Sequence, residues 1–253
     1  MTRLGILGAG HFGGYLLEGL LRETDPPRVL LSPRGQSAAL AARFDCAVAA
    51  SNAALVEDSD VVLLAVRPPA APAAVAGLPW RRDHVLVSVC GAVPLAALDA
   101  GHATKVRAMA AASVALGEST VLLWPEDARA RAVLARLGPV IAVPDEEALD
   151  AGTAMYGYYA MLFGLMAEGE RWIERQGYTP EDARTIVGLA FRGAGGMRLR
   201  DKATAPEAIL SSLATPGGLT ERGLASLSQD GALGAWSRAL DAILRRIKAT
   251  TRP

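Results

Sequence analysis

The sequence predicts an α/β first half built on a doubly wound parallel sheet, followed by a smaller all-α second half. Three observations predict it. Short apolar runs of β type alternate with helical segments as far as about residue 146. Beyond that point only helical segments follow. The first β-type run, "LGIL", passes directly into "GAGHFGG", a glycine-rich turn that opens a helix.

Strands are expected at Leu4–Leu7, Val29–Ser32, Val61–Val66, Val85–Val89, Lys105–Met109, Thr120–Leu123 and Val140–Val143. Several are continuous apolar runs, as strands covered on both faces must be. Helices between them are expected at His11–Arg22, Gln36–Phe44, Pro94–Leu98 and Glu126–Leu137. The second half reads as helices Glu147–Gln176, Pro180–Arg200, Pro206–Leu213, Thr220–Leu227 and Gly231–Lys248. In "GYTPEDA", Thr179 is the expected N-cap and Pro180 the first helical residue. The domains expected are therefore residues 1–146 and 147–253.

Composition bounds the function. The chain has 253 residues, 51% hydrophobic and 21% charged, which is globular. Zero net charge gives no basic field for nucleic acid or an acidic membrane. Met155–Ala167 is the most apolar stretch, but a bilayer span needs roughly 20 such residues. No secretory h-region is visible, so a cytoplasmic protein is expected. Cys46 and Cys90 are too few for a disulfide framework and are read as buried structural thiols. His11, His84 and His102 lack metal-ligand spacing, and no metal site is expected. His84 and His102 are read as surface residues. Lysine occurs only at 105, 202 and 248, which leaves few candidates for a catalytic amine. The run "AMYGYYAMLFGLMAEGERW" is apolar nearly all round in its first turns, so a second subunit is expected to cover it.

Gly8, Gly10 and Gly13 fit G-x-G-x-x-G between a strand and a helix, the Rossmann phosphate cradle. The first glycine permits the tight turn and the second lets backbone approach a pyrophosphate. The third lets helix and strand pack closely. The helix N-terminus then offers free N–H groups and partial positive charge to the phosphates. His11 and Phe12 belong to the same loop. An NAD site usually carries Asp or Glu at the end of the second strand. Here "VLLSPRG" places Ser32 and Arg34 there, a hydroxyl and a guanidinium suited to a 2′-phosphate. NADPH is therefore expected in preference to NAD.

From this point the sequence resembles the pyrroline-5-carboxylate reductase family nearly end to end. "GILGAGHFGGYLLEGL" is similar to its nucleotide loop and "LLSPRG" to its Ser-x-Arg segment. "DVVLLAVRPP" resembles its Ala-Val-Lys-Pro turn, with Arg67 in place of lysine. Ala65, Val66, Arg67 and Pro68 are thereby implied as cofactor-binding. "LVSVCGAVPLAAL" and "EEALDAGTAMYG" resemble its fifth strand and its linker into the helical domain. "ATPGGLTERGL" is similar to its Ser-Pro-Gly-Gly-x-Thr signature, with Thr215 for serine. The resemblance implies an all-α C-terminal dimerisation domain and a homodimer or higher homo-oligomer through its helices.

The signature also has its own physics. Pro-Gly-Gly makes a sharp turn before a helix beginning near Thr220, and N–H groups of Gly218, Leu219 and Thr220 are expected free there to hold a carboxylate. The resemblance implies that Gly217, Gly218, Leu219 and Thr220 bind a cyclic imine carboxylate. It also implies that Thr220, as the catalytic residue, orients the imine nitrogen during hydride transfer. The plainer reading makes Thr220 an N-cap.

Two departures bear on the substrate. Where the family reads Met-Pro-Asn-Thr-Pro, this chain has Met109, Ala110, Ala111, Ala112 and Ser113, with Gly117-Glu118 following. Alanines cannot make the hydrogen bonds of Asn and Thr. Where the family reads Ser-Gly-Ser-Gly-Pro-Ala-Tyr, this chain has "MYGYYAM", one residue shorter and bulkier through Tyr156, Tyr158 and Tyr159. A retained cofactor site with an altered substrate pocket is expected, suited to a larger or more apolar imine. The competing readings are an NADP(H)-binding sensor without turnover and another two-domain NADP-dependent dehydrogenase. Against a β-hydroxyacid dehydrogenase, residues 155–175 contain no lysine.

Overall fold

The computed structural model describes residues 2–251. The chain divides into two compact units: one holds the chain up to Tyr156 and takes it back from Ile243, and the other is Gly157–Ala242.

The first unit is an eight-stranded sheet. Its strands are β1 (Leu4–Leu7), β2 (Val29–Leu31), β3 (Ala47–Val48), β4 (Val61–Leu64), β5 (Val85–Ser88), β6 (Thr104–Met109), β7 (Val121–Trp124) and β8 (Val140–Ala142). The order across the sheet is β3-β2-β1-β4-β5-β6-β7-β8. Every side chain of β1, β4 and β5 is buried, which is why these runs carry no polar alternation. One core lies on each face. Leu16, Leu17 and Leu20 pack with Ile6, Leu31 and Leu63 on one side. Leu55, Val56, Val75 and Leu98 pack with Leu7, Val62, Leu64 and Leu86 on the other.

The sheet is not wholly parallel: β7 runs antiparallel to β6, with Ala108 opposite Leu123. A parallel return needs a crossover of a dozen or more residues. Residues 110–120 supply only a 3-10 turn, Ala112–Leu116, so the chain reverses. The expected helix at Pro94–Leu98 is likewise a single 3-10 turn, Leu95–Ala97, too short to nucleate an α-helix. The short β3 and the helices Asn52–Glu57 and Ala71–Val75 escaped the sequence reading, because they are too brief to show a period. The longer helices of this unit are α1 (His11–Leu20), Ser37–Phe44 and Ala128–Leu134. The last starts at Asp127, whose carboxylate accepts from the N–H groups of Arg129 (3.0 Å) and Ala130 (2.9 Å).

His84 is fully buried rather than on the surface, at the start of β5. Its Nδ1 accepts from the Arg81 N–H (3.1 Å) and its ring meets Trp80 edge-on. Nε2 has no partner among the described residues. Burial first, and then Arg81, push its pKa below the ordinary histidine value. The unfolded chain binds a proton as pH falls through about 6.5, while the folded chain does not until lower pH. Stability from this group is complete above the unfolded pKa and declines as pH falls below it. Urea midpoints at pH 7.5 and 5.5 are expected to fall more for the wild type than for His84→Met. Equal falls would refute this assignment.

Cys46 is half-buried, not buried as expected, and Cys90 is buried; both are free thiols. Burial raises the pKa of each. Lys105 donates to the carbonyls of Leu95 and Leu98 (both 3.0 Å), a structural task.

In the second unit, Pro180–Arg200, Pro206–Leu213 and α9 (Leu219–Gln229) are helical, with parts of α6 (Glu146–Glu174) and α10 (Ala232–Thr251). The Thr179 hydroxyl accepts from the Asp182 N–H (3.1 Å), as its cap position predicts. The Tyr158 ring meets Trp236 at a tilt, and Tyr159 meets Phe163 edge-on. Phe163, Trp172, Leu189, Met197 and Leu199 are all exposed in the single chain. No described helix is long and apolar enough to cross a membrane.

Candidate active site

A cleft of about 860 Å³ opens along the carboxyl ends of β2, β1, β4 and β5. It lies where the strand order turns back around β1, the expected ligand position in a doubly wound sheet. Gly8, Gly10, His11 and Phe12 line it from the β1 loop; Ser32 and Arg34 from the β2 loop; and Ala65, Val66, Arg67 and Pro68 from the β4 turn. Gly13 lies beneath the cleft: a Cβ there would stand 2.3 Å from the Gly8 carbonyl oxygen, so α1 can approach the loop only over a glycine. Gly10 is the reverse case, since a Cβ there would meet nothing within 4 Å. That side of the loop is open to the cleft.

The two loops are zipped together. The Gln36 N–H donates to the Ala9 carbonyl (2.8 Å), and the Gly8 N–H to the Ser32 hydroxyl (3.0 Å). Ser37 donates to the carbonyls of Ser32 and Arg34. Ser32 is thus buried, and its hydroxyl oxygen holds the glycine loop. Arg34 and Arg67 are exposed and enter no ion pair among the described residues. The cleft lining contains no carboxylate. Two unpaired guanidiniums, open first-turn N–H groups of α1 and a hydroxyl donor make an anion site, and these residues fit a dinucleotide carrying an extra phosphate. Asn52 also lines the cleft and went unnoticed in the sequence; its only signal was Ser51, which caps that short helix by accepting from the Ala54 N–H (3.1 Å).

The "TPGGLT" segment belongs to the other unit. Gly217 takes φ +75°, the left-handed value its turn requires. Gly218 is the N-cap of α9, and its N–H donates to the Thr215 carbonyl (2.8 Å). It is therefore not free, contrary to expectation. Nor is Thr220 the cap: the helix starts one residue earlier, at Leu219. The N–H groups of Leu219 and Thr220 are first-turn groups with no acceptor inside the helix. Glu221 folds back onto the Gly217 N–H (2.6 Å). Thr220 is exposed, and so is its neighbour Leu219 at 90%.

Of the two departures, the alanine stretch leaves its turn tied by serines. Ser119 accepts from the Ala111 N–H (3.0 Å), and Ser113 donates to the Glu118 carbonyl (3.1 Å). Glu118 is exposed and lies outside the cleft lining. The Tyr156 hydroxyl donates to the Thr120 carbonyl (2.7 Å), and burial raises its pKa. No grouping of His, Cys, Asp and Glu fit to hold a metal occurs among the described residues.

These features define a protein with a Rossmann-type α/β dinucleotide fold followed by an all-helical region. Residues 146–250 match the family model for pyrroline-5-carboxylate reductase dimerisation, and residues 3–91 match the model described as NADP oxidoreductase, coenzyme F420-dependent. The chain is 27% identical to a pyrroline-5-carboxylate reductase of Pseudomonas aeruginosa, over 96% of this chain and 95% of that one. It is 25% identical to one from Methanosarcina acetivorans, over 94% of each. The NADP-bound pyrroline carboxylate reductase of Plasmodium falciparum has the same fold, with a TM-score of 0.88 at 19% identity over 99% and 98% of the two chains. Along nearly its whole length the chain is thus similar to pyrroline-5-carboxylate reductases, and its helical half matches the dimerisation model of that family.

Proposed function

We propose that the protein is an NADPH-dependent reductase of a cyclic imine carboxylate, pyrroline-5-carboxylate or a related imine, acting as a homo-oligomer assembled through its C-terminal helices. The observation that carries the cofactor is the cleft itself, which has two unpaired arginines, an open glycine cradle and no carboxylate. The named activity of its full-length relatives supports the reaction. The match to a dimerisation model and the exposed Phe163, Trp172, Leu189 and Leu199 support the assembly.

Gly8 and Gly10 with the first turn of α1 would hold the pyrophosphate, and Ser32, Arg34 and Arg67 the remaining phosphate. When bound, the dinucleotide supplies a hydride to the carbon of the C=N bond. The nitrogen becomes an amine, its proton already present on the iminium or taken from water. The chain's work is then positioning and water exclusion rather than acid–base chemistry. N–H groups of Leu219 and Thr220 would hold the substrate carboxylate. The Thr220 hydroxyl would hydrogen-bond the ring nitrogen. The methyl groups of Ala110, Ala111 and Ala112 and the committed hydroxyl of Tyr156 favour a bulkier, less polar imine over the small polar one.

The test mixes the purified protein with NADPH and a panel of cyclic imines that includes pyrroline-5-carboxylate, following loss of nicotinamide absorbance. Turnover is expected, fastest with the less polar members. Thr220→Ala is expected to raise KM. Arg34→Ala is expected to weaken NADPH by about 10- to 100-fold and NADH hardly at all, because a charge-assisted hydrogen bond contributes about 1.5–3 kcal/mol. NADPH binding without turnover of any imine would reject the reductase reading in favour of a sensor.

A further inference from the structure

The turn before α9 holds a carboxylate of its own. Glu221 is the third residue of that helix, and its Oε2 accepts from the Gly217 N–H (2.6 Å). A glutamate at this helical position ordinarily reaches back to the N-cap N–H. Here that group is committed, since the Gly218 N–H donates to the Thr215 carbonyl (2.8 Å). Glu221 therefore reaches one residue further, to Gly217. Its side chain bridges the turn, with Leu219 and Thr220 lying between the two residues in the chain.

The charge on that bridge has no counter-charge. Glu221 enters no ion pair among the described residues, and neither does its neighbour Arg222. The hydrogen bond alone does not call for a charge, because a glutamine carbonyl would accept from the same N–H. What a carboxylate adds is an anion at the start of a helix, where the partial positive charge of the backbone draws one. That is also what a substrate carboxylate would seek there.

We propose that Glu221 is a specificity-determining residue whose carboxylate competes with a substrate carboxylate for the start of α9, shifting preference towards cyclic imines whose ring carries none. The proposal rests on the reductase reading above, in which the N–H groups of Leu219 and Thr220 hold the substrate. It deepens that reading by stating which less polar imines are meant. A carboxylate brought to those two N–H groups shares one helix end with Glu221, and like charges at such short range repel. An imine without a carboxylate meets no such repulsion. Ala110, Ala111 and Ala112 point the same way, since they offer a polar substrate no side-chain hydrogen bonds.

The experiment compares wild type and Glu221→Gln, with NADPH saturating, on pyrroline-5-carboxylate and on 1-pyrroline, the same ring without the carboxylate. Glutamine keeps the acceptor for Gly217 and removes only the charge. The thermal midpoint of each protein is measured alongside. In the variant, KM for pyrroline-5-carboxylate is expected to fall about tenfold relative to KM for 1-pyrroline, with kcat for each little changed. An unchanged KM ratio, or one that moves the other way, overturns the proposal. A lower thermal midpoint with an unchanged ratio also overturns it, because Glu221 would then serve the helix cap and nothing more. Wild-type protein that turns over neither imine rejects the reductase reading and this role together, whereas wild-type turnover with an unchanged ratio rejects the Glu221 role alone.

Discussion

Arg107→Met is expected to lower the folding stability by about 3–5 kcal/mol, the cost of stranding a buried charge partner. Arg107 is 1% exposed, within β6. Its two terminal nitrogens donate to Glu146 Oε1 (2.9 Å) and Asp150 Oδ1 (2.8 Å) on the first turns of α6. Glu146 also accepts from the Leu95 N–H (3.0 Å), so one carboxylate ties three segments together. Methionine fills similar space but leaves Asp150, itself 6% exposed, without its counter-charge. The pair Arg107→Met/Asp150→Leu is expected to recover much of the loss, because removing both charges removes the desolvation penalty with the attraction. Denaturant titration of the single and double variants at pH 7 checks both expectations. A double variant no more stable than the single one would show that Arg107 acts through packing alone.

The second large effect separates two glycines of one motif. Gly13→Ala is expected to lower both the ligand-free midpoint and NADPH affinity. Its Cβ would stand 2.3 Å from the Gly8 carbonyl, and forcing such contact costs about 1–3 kcal/mol or more. Gly10→Ala is expected to change the ligand-free stability by less than about 1 kcal/mol, the difference between glycine and alanine at an N-cap. Its loss of NADPH affinity should be at least as large, since only the ligand occupies that space. Thermal melts with and without NADPH measure both. Identical behaviour of the two variants would remove the distinction between packing and approach.

The sequence made much of the first unit legible for a simple reason. A strand buried on both faces must be apolar throughout, and "LGIL", "VVLL" and "VLVS" each read that way. The strand-to-turn-to-helix order around Gly8 likewise depends on local chemistry alone. The ends of elements were less legible. Helix α9 begins at Leu219, which makes Gly218 its cap and leaves Thr220 inside the first turn. The direction of β7 hung on whether residues 110–120 would form a crossover helix, and short segments carry no period by which to judge.

By itself, then, the sequence determined the α/β-then-α plan, the glycine loop, the Ser32–Arg34 pair and the family likeness. All of these reside in runs of neighbouring residues. Only the tertiary structure decided what depends on residues far apart in the chain. It buried His84, and it set Arg107 against Glu146 and Asp150, some forty positions on. It committed the Ser32 oxygen to Gly8, while leaving Arg34 and Arg67 without carboxylate partners. It also separated Gly13, which the fold requires, from Gly10, which it does not. Sequence spacing records which side chains are available. The room around a Cβ, or the partner across a sheet, exists only once the chain has closed on itself.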